Sequence, residues 1–114
     1  MSDLQDINDT REFRIPDWLD HAARHYWKKL VNRVDETQYE ALAVLCDSFA
    51  RYRQASDEIK RNGFTIASAN GAEKANPATN ALNNANNSIA KFWKLLRLDN
   101  ESDESNSELE EFFN

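Results

Sequence analysis

Apolar positions recur with helical spacing in three separate stretches of this chain. At about 100° per residue, Leu19, Ala22, Ala23, Tyr26, Trp27, Leu30, Val31 and Val34 gather on one side of a first helix. His21, Arg24, His25, Lys28 and Asn32 take the other side, which leaves a basic outer face. Pro16-Asp17 is expected to open this helix. Asp35, with Gln38 three residues later, is a capping-box-like start for a second helix. Its stripe of Leu42, Leu45, Phe49, Tyr52, Ser56 and Ile59 alternates steps of three and four, the spacing of a long helix lying along another. Asn62-Gly63 ends it, with glycine as a left-handed cap. The join between the two helices is short, so they are expected to form an antiparallel hairpin.

The pattern then changes. Phe64-Thr65-Ile66 is β-prone and Asn70-Gly71 is a hairpin-turn signal, so residues 64–75 read as a small β-hairpin. Two short strands are marginal alone and need cover from the helices or from a neighbouring subunit. Asn76-Pro77 starts a third helix, with asparagine as cap and proline in the first turn. Ala78, Ala81, Leu82, Ala85, Ile89, Phe92, Trp93 and Leu96 form its apolar stripe; Asn83, Asn84, Asn87, Lys91, Lys94 and Arg97 form its outer face. The fold class is therefore mainly α: an antiparallel helical hairpin plus a third long helix, with a β-hairpin between helices two and three.

These elements occupy residues 15–98. Residues 1–14 read as a polar, flexible acidic arm, and 99–114 as an acidic tail. The tail closes in Glu108-Leu109-Glu110-Glu111-Phe112-Phe113, a type of segment that can fold on meeting a partner. Leu109, Phe112 and Phe113 are its candidate docking residues.

Composition narrows the class. A chain of 114 residues fits one domain, and 40% hydrophobic with 11% aromatic content is enough for a modest core. The N-terminus carries three aspartates by Thr10 and no apolar run, so it does not read as a signal peptide. No apolar stretch approaches the ~20 residues needed to span a bilayer. The expected compartment is the cytoplasm.

The net charge of −6 conceals a partition. Residues 1–20 hold six acidic and two basic side chains, residues 21–97 hold seven acidic and twelve basic, and residues 98–114 hold seven acidic and none basic. A basic middle between acidic ends fits an interaction protein with a polyanion as one partner. A solvated helical surface flanked by solubilising tails is the plainer reading of the same charges.

Catalytic apparatus is missing from the pattern. Two glycines, Gly63 and Gly71, cannot supply a G-x-x-x-x-G-K phosphate loop. There is no G-x-S-x-G elbow, and Cys46 has no histidine in plausible register. One cysteine excludes an internal disulfide and a Cys-based zinc site; Cys46 flanks the second stripe and reads as a core residue. His21 and His25 sit one turn apart, but Ala22 stands where the helical zinc signature places glutamate, so they read as surface histidines. No metal or cofactor is expected. Trp18, Trp27 and Trp93 read as core or subunit contacts rather than base-stacking platforms.

The cations remain. Arg24, Lys28, Lys29 and Arg33 cluster on the first helix; Arg51, Arg53, Lys60 and Arg61 flank the second; Lys91, Lys94 and Arg97 recur every three residues on the third. Such a pattern can supply salt-dependent affinity for phosphates, without evidence of base reading. The second helix is too long for a recognition helix in a compact trihelical unit.

The order of these motifs resembles the phage terminase small-subunit family over residues 15–98. Ile15-Pro16-Asp17-Trp18-Leu19, with Ala22 through Trp27 and Leu30, resembles that family's opening P-x-W-L-x-x-x-A-x-x-x-W-x-x-L. Asp35 with Leu42 to Tyr52 resembles its long second helix, and Ile59 through Gly63-Phe64-Thr65 its L-x-x-x-G-x-x step. Asn70-Gly71 and Asn76-Pro77-Ala78 resemble its N-G-x-x-x-x-N-P linker, and Ile89 to Leu98 its closing helix. The resemblance implies a non-enzymatic homo-oligomer, a ring in this family, that binds double-stranded viral DNA at the packaging start. It also implies a partner, the large subunit that carries the ATPase and nuclease, and action in the host cytoplasm. The sequence departs from the family at one step. Leu96-Arg97-Leu98 replaces a Leu-Gly-Leu step and runs straight into acidic residues, where the family continues with a Ser-Arg-containing segment. A helical adaptor without direct DNA binding is the alternative.

Overall fold

The computed structural model describes residues 15–99. The expectations for the acidic arm, for the tail and for Leu109, Phe112 and Phe113 lie outside the described residues. Within them the chain forms α1 (His21–Leu30), 3₁₀ turns at Val31–Arg33 and Glu36–Gln38, and α2 (Tyr39–Asn62). Strands β1 (Thr65–Ala67) and β2 (Glu73–Ala75) follow, then α3 (Pro77–Leu95). The mainly helical fold with a β-hairpin between the second and third helices is the one read from the sequence.

α2 is the central element. At 24 residues it is about 36 Å long, and α1 and α3 both pack along it. Its first half is sandwiched between them. Leu42, Ala43, Leu45, Cys46 and Phe49 are all buried there, a wider stripe than the three-and-four alternation alone marks. In its second half burial narrows to Ala55 and Ile59. Ser56, assigned to the stripe from the sequence, is half-buried, and Ala55 takes the inward position.

Each helix contributes aromatics to one core. Tyr26 stacks on Phe49 with ring centroids 5.0 Å apart, Phe49 meets Trp93 edge-on at 6.3 Å, and Trp27 meets Tyr39 at 5.4 Å. Offset and edge-to-face pairs of this kind add about 0.5–1.5 kcal/mol each beyond the area they bury. Trp18 differs from the other tryptophans: it is 59% exposed and is not a core residue of the chain.

Three local details depart from the sequence reading. α1 begins at His21, not at Pro16-Asp17. Residues 16–19 form a turn closed by the Leu19 N–H on the Pro16 carbonyl at 3.1 Å, and the first helical bond runs from Arg24 N–H to the Asp20 carbonyl. Ala22 consequently faces solvent. At the end of α2, Gly63 has positive φ (85°) but ψ of 174°, so the chain leaves in an extended mirror-image conformation rather than the left-handed helical one. That region is open essentially to glycine alone. The hairpin turn is a three-residue loop. Ser68 N–H donates to the Ala72 carbonyl and Gly71 N–H to the Ser68 carbonyl, with Gly71 at φ 87°.

The capping box at Asp35 forms as expected, but on the 3₁₀ turn that leads into α2. The Asp35 carboxylate accepts from Thr37 N–H at 2.9 Å, and Gln38 Oε1 accepts from Asp35 N–H at 3.2 Å. Asn76 does more than cap α3. Its Oδ1 accepts from Ala78 N–H at 3.0 Å, while its Nδ2 donates to the Gly63 carbonyl at 2.9 Å. Its own N–H donates to the Phe64 carbonyl at 2.8 Å. This buried asparagine ties the start of α3 to the end of α2 and sets where the hairpin projects.

Candidate nucleic-acid interface

The antiparallel run of α2 sends the ends of α1 and α3 to the same end of the molecule. Arg33 joins them. Its Nη2 donates to the Leu98 carbonyl at 3.4 Å, and its guanidinium lies over the Trp93 ring, 6.0 Å from the centroid. Lys28 and Lys29 occupy the last turn of α1 and Lys94 the last turn of α3; Lys91 sits three residues earlier, its Nζ 5.6 Å from the centre of the Phe92 ring. Arg97 follows at once. Six of the eleven cations singled out in the sequence thus lie toward one end, although they come from stretches some sixty residues apart. Asp35 and Glu36, on the 3₁₀ turn before α2, and Glu40, in the first turn of α2, lie at this end too, and the hydrogen bonds from Thr37 engage the Asp35 carboxylate and lower its pKa.

The end of α3 has a specific geometry. Leu98 N–H bonds the Trp93 carbonyl and Arg97 N–H the Lys94 carbonyl, both at 3.0 Å, and Arg97 has φ of +58°. This 6→1 and 5→2 pairing around a left-handed residue is a Schellman motif. Leu98 completes it by burying its side chain to 1% exposure. Arginine therefore holds the position that glycine fills most cheaply, which is the position of the Leu-Arg-Leu departure noted in the sequence.

The other cations are not brought to this end. Arg24 is half-buried and its Nε donates to the Leu19 carbonyl at 3.0 Å, which bends it back over the opening turn. Arg51 pairs with Asp47 at 2.7 Å, and that carboxylate holds the guanidinium charged. Arg61 lies 3.6 Å from Glu58, whose pKa is lowered chiefly by its hydrogen bond from Asn62. Arg53 and Lys60 are exposed on the same helix. The α2 cations are thus interleaved with acids along the arm. Arg51 and Arg61 also line a shallow groove of about 630 Å³ between α2 and α3. On its floor Ser48 and Ser88 share a hydrogen bond at 2.8 Å. The small residues on α3 that open this groove were visible in the sequence only as a stripe.

Cys46 is buried, as expected from its place beside the stripe; burial, with Asp47 adding to it, pushes its thiol far above the ordinary range. His21 and His25 are exposed, and His25 meets Tyr26 edge-on. Among the described residues, no three histidine, cysteine, aspartate or glutamate side chains are grouped to hold a metal, and no helix is long and apolar enough to cross a membrane.

A family model described as phage terminase, small subunit, matches residues 23–111. The chain belongs to that family. The terminase small-subunit match runs from α1 through all the helices and the hairpin and continues into the acidic residues beyond Leu98. No curated protein and no solved structure matches the chain.

Proposed function

We propose that this terminase small subunit initiates packaging by binding double-stranded viral DNA through the basic end formed by α1 and α3. It does so as a homo-oligomer, in the ring form the family resemblance implies. It delivers the DNA to the large ATPase–nuclease subunit in the host cytoplasm and has no catalytic role of its own. The observation that carries this reading is that Lys28, Lys29, Lys91, Lys94 and Arg97 lie toward the end of the molecule where Arg33 reaches Leu98. Phosphate contacts need cations on a reachable face, and all six are exposed. Association is supported by apolar surface that the chain leaves open: Trp18, Phe64 at 67% and Leu95 at 57% exposure, and a hairpin whose strands are exposed except for Ile66.

The test is duplex binding across a salt series, with particle mass measured in parallel. Lys28→Ala with Lys94→Ala should weaken binding and flatten the salt slope by about 2, one for each phosphate that is no longer neutralised. Arg51→Ala with Arg61→Ala, which removes cations already paired on α2, should leave it nearly unchanged. Equal weakening by both pairs would show that the basic end is not the DNA site. A monomer at micromolar concentration would refute the oligomeric reading.

A further inference from the structure

We propose that the groove between α2 and α3 receives α2 of a second copy of this chain, antiparallel, about a two-fold axis near Gln54. The inference deepens the self-association reading and rests on it.

The shape of the groove is the first support. Along α2 it is lined by Val44, Asp47, Arg51, Gln54, Glu58 and Arg61. Steps of three and four place these on one stripe of the helix, about 26 Å from end to end. On the other side α3 presents Ala81, Ala85 and Ser88, which are too short to fill the space. A row of longer side chains from another helix packs into such a gap.

Charge is the second, and it selects the occupant. Asp47, Arg51, Glu58 and Arg61 run acid, base, acid, base along the stripe. Read in reverse, the order is base, acid, base, acid. Asp47 and Arg61 each lie seven residues from Gln54, and Arg51 and Glu58 lie three and four from it. One antiparallel register therefore sets Asp47 against Arg61 of the second copy and Arg51 against its Glu58. The two-fold axis repeats both contacts. Parallel alignment in register would set like against like. Within one chain Arg51 already pairs with Asp47 at 2.7 Å and Arg61 lies 3.6 Å from Glu58, yet both arginine side chains are 69% exposed. Each pair can thus join a four-charge cluster with its counterpart. Charges of this kind fix orientation and register more than affinity.

Apolar surface in the same register is the third. Val44 is exposed and lies ten residues before Gln54; Phe64, at 67% exposure, lies ten after it, just beyond the end of α2. Antiparallel pairing brings each toward the other's counterpart. A two-fold contact closes at two chains and cannot build a ring alone. Ring closure then falls to other surface, such as that around Trp18 and Leu95, and the particle holds an even number of chains. The basic end of α1 and α3 lies outside the groove and stays open to DNA.

The experiment uses two variants of the full chain. Arg51→Glu with Arg61→Glu makes the stripe wholly acidic, and Asp47→Lys with Glu58→Lys makes it wholly basic. Neither can pair with itself, but each complements the other. Circular dichroism verifies the helices, and mass is measured at about 100 mM salt. Each variant alone should have half the parent mass, and an equal mixture should regain it in particles that contain both. A parent mass kept by either variant, no recovery on mixing, or an odd number of chains in the parent would overturn the proposal. A parent that is monomeric at micromolar concentration would overturn the self-association reading as well.

A second readout leaves the charges in place. Gln54→Cys puts an exposed thiol beside the axis, while the native Cys46 is buried. A short bismaleimide should link two such chains. Lys60→Cys, also exposed, sits six residues from the axis, so its two copies lie about 18 Å apart along the paired helices and should not be linked. Equal linking of both variants, or of neither, would refute the register.

Discussion

Replacing Arg97 by glycine should make the protein more stable although it removes a charge. An L-residue in left-handed backbone costs about 1–2 kcal/mol, and glycine avoids that cost. Glycine brings extra freedom to the unfolded chain, which offsets about 0.5–1 kcal/mol. Removing a cation from an exposed helix C-terminus loses about 0.3 kcal/mol more. The net gain is roughly 0.5 kcal/mol. Arg97→Ala loses the same charge but keeps the Cβ at φ 58°, so it gains nothing. The two variants should differ by roughly 0.7 kcal/mol, or about 3–6 °C in Tm for a unit of this size. The assay is thermal unfolding at matched protein concentration, because association shifts apparent stability. If Arg97→Gly melts at or below Arg97→Ala, the left-handed backbone does not strain the α3 terminus and the reasoning is refuted.

Asn76→Ala should cost about 1–2 kcal/mol in urea unfolding, because it removes the α3 cap and leaves the Gly63 carbonyl without its donor; Asn76→Asp, which retains only the cap, should fall between. Phe49→Ala should cost about 3–5 kcal/mol, while Trp18→Ala, at 59% exposure, should leave chain stability nearly unchanged and lower particle mass instead. The Asp35 pKa is lowered by Thr37, so its contribution is present above the ordinary aspartate pKa and is lost as pH falls below it. Melting curves of Asp35→Asn should therefore lose less stability than the parent between about pH 5 and 2, and parallel curves would refute this. Cys46 should react with a thiol reagent only as fast as the core opens, so labelling should slow in step with added stability, as in Arg97→Gly.

Much of this fold was legible because helical periodicity is a local signal. The stripe from Leu19 to Val34, the capping box at Asp35, Asn76-Pro77 and the positive-φ glycines each depend on residues a few positions apart. The structure reproduces them, apart from the start of α1, the exposure of Ala22, the 3₁₀ turn that replaces helix at Val31–Arg33, and the backbone form at Gly63. The width of the buried face of α2 was not legible. Ala43 and Cys46 are covered because α1 and α3 flank one half of α2, and that depends on residues some forty positions away.

The candidate site divides in the same way. The sequence alone determined a mainly helical chain with a basic middle and acidic ends, with no phosphate loop and with an ordered set of terminase motifs. It presented eleven cations as equals. Only the tertiary structure separated them, pairing Arg51 and Arg61 with acids on α2, turning Arg24 toward Leu19, and placing five others toward the end where Arg33 reaches Leu98. It also turned the Leu-Arg-Leu step into a strained helix terminus. The reason is physical: periodicity and capping act over one or two turns of chain, whereas charge acts through space, and which charges meet is decided by how α1 and α3 pack on α2.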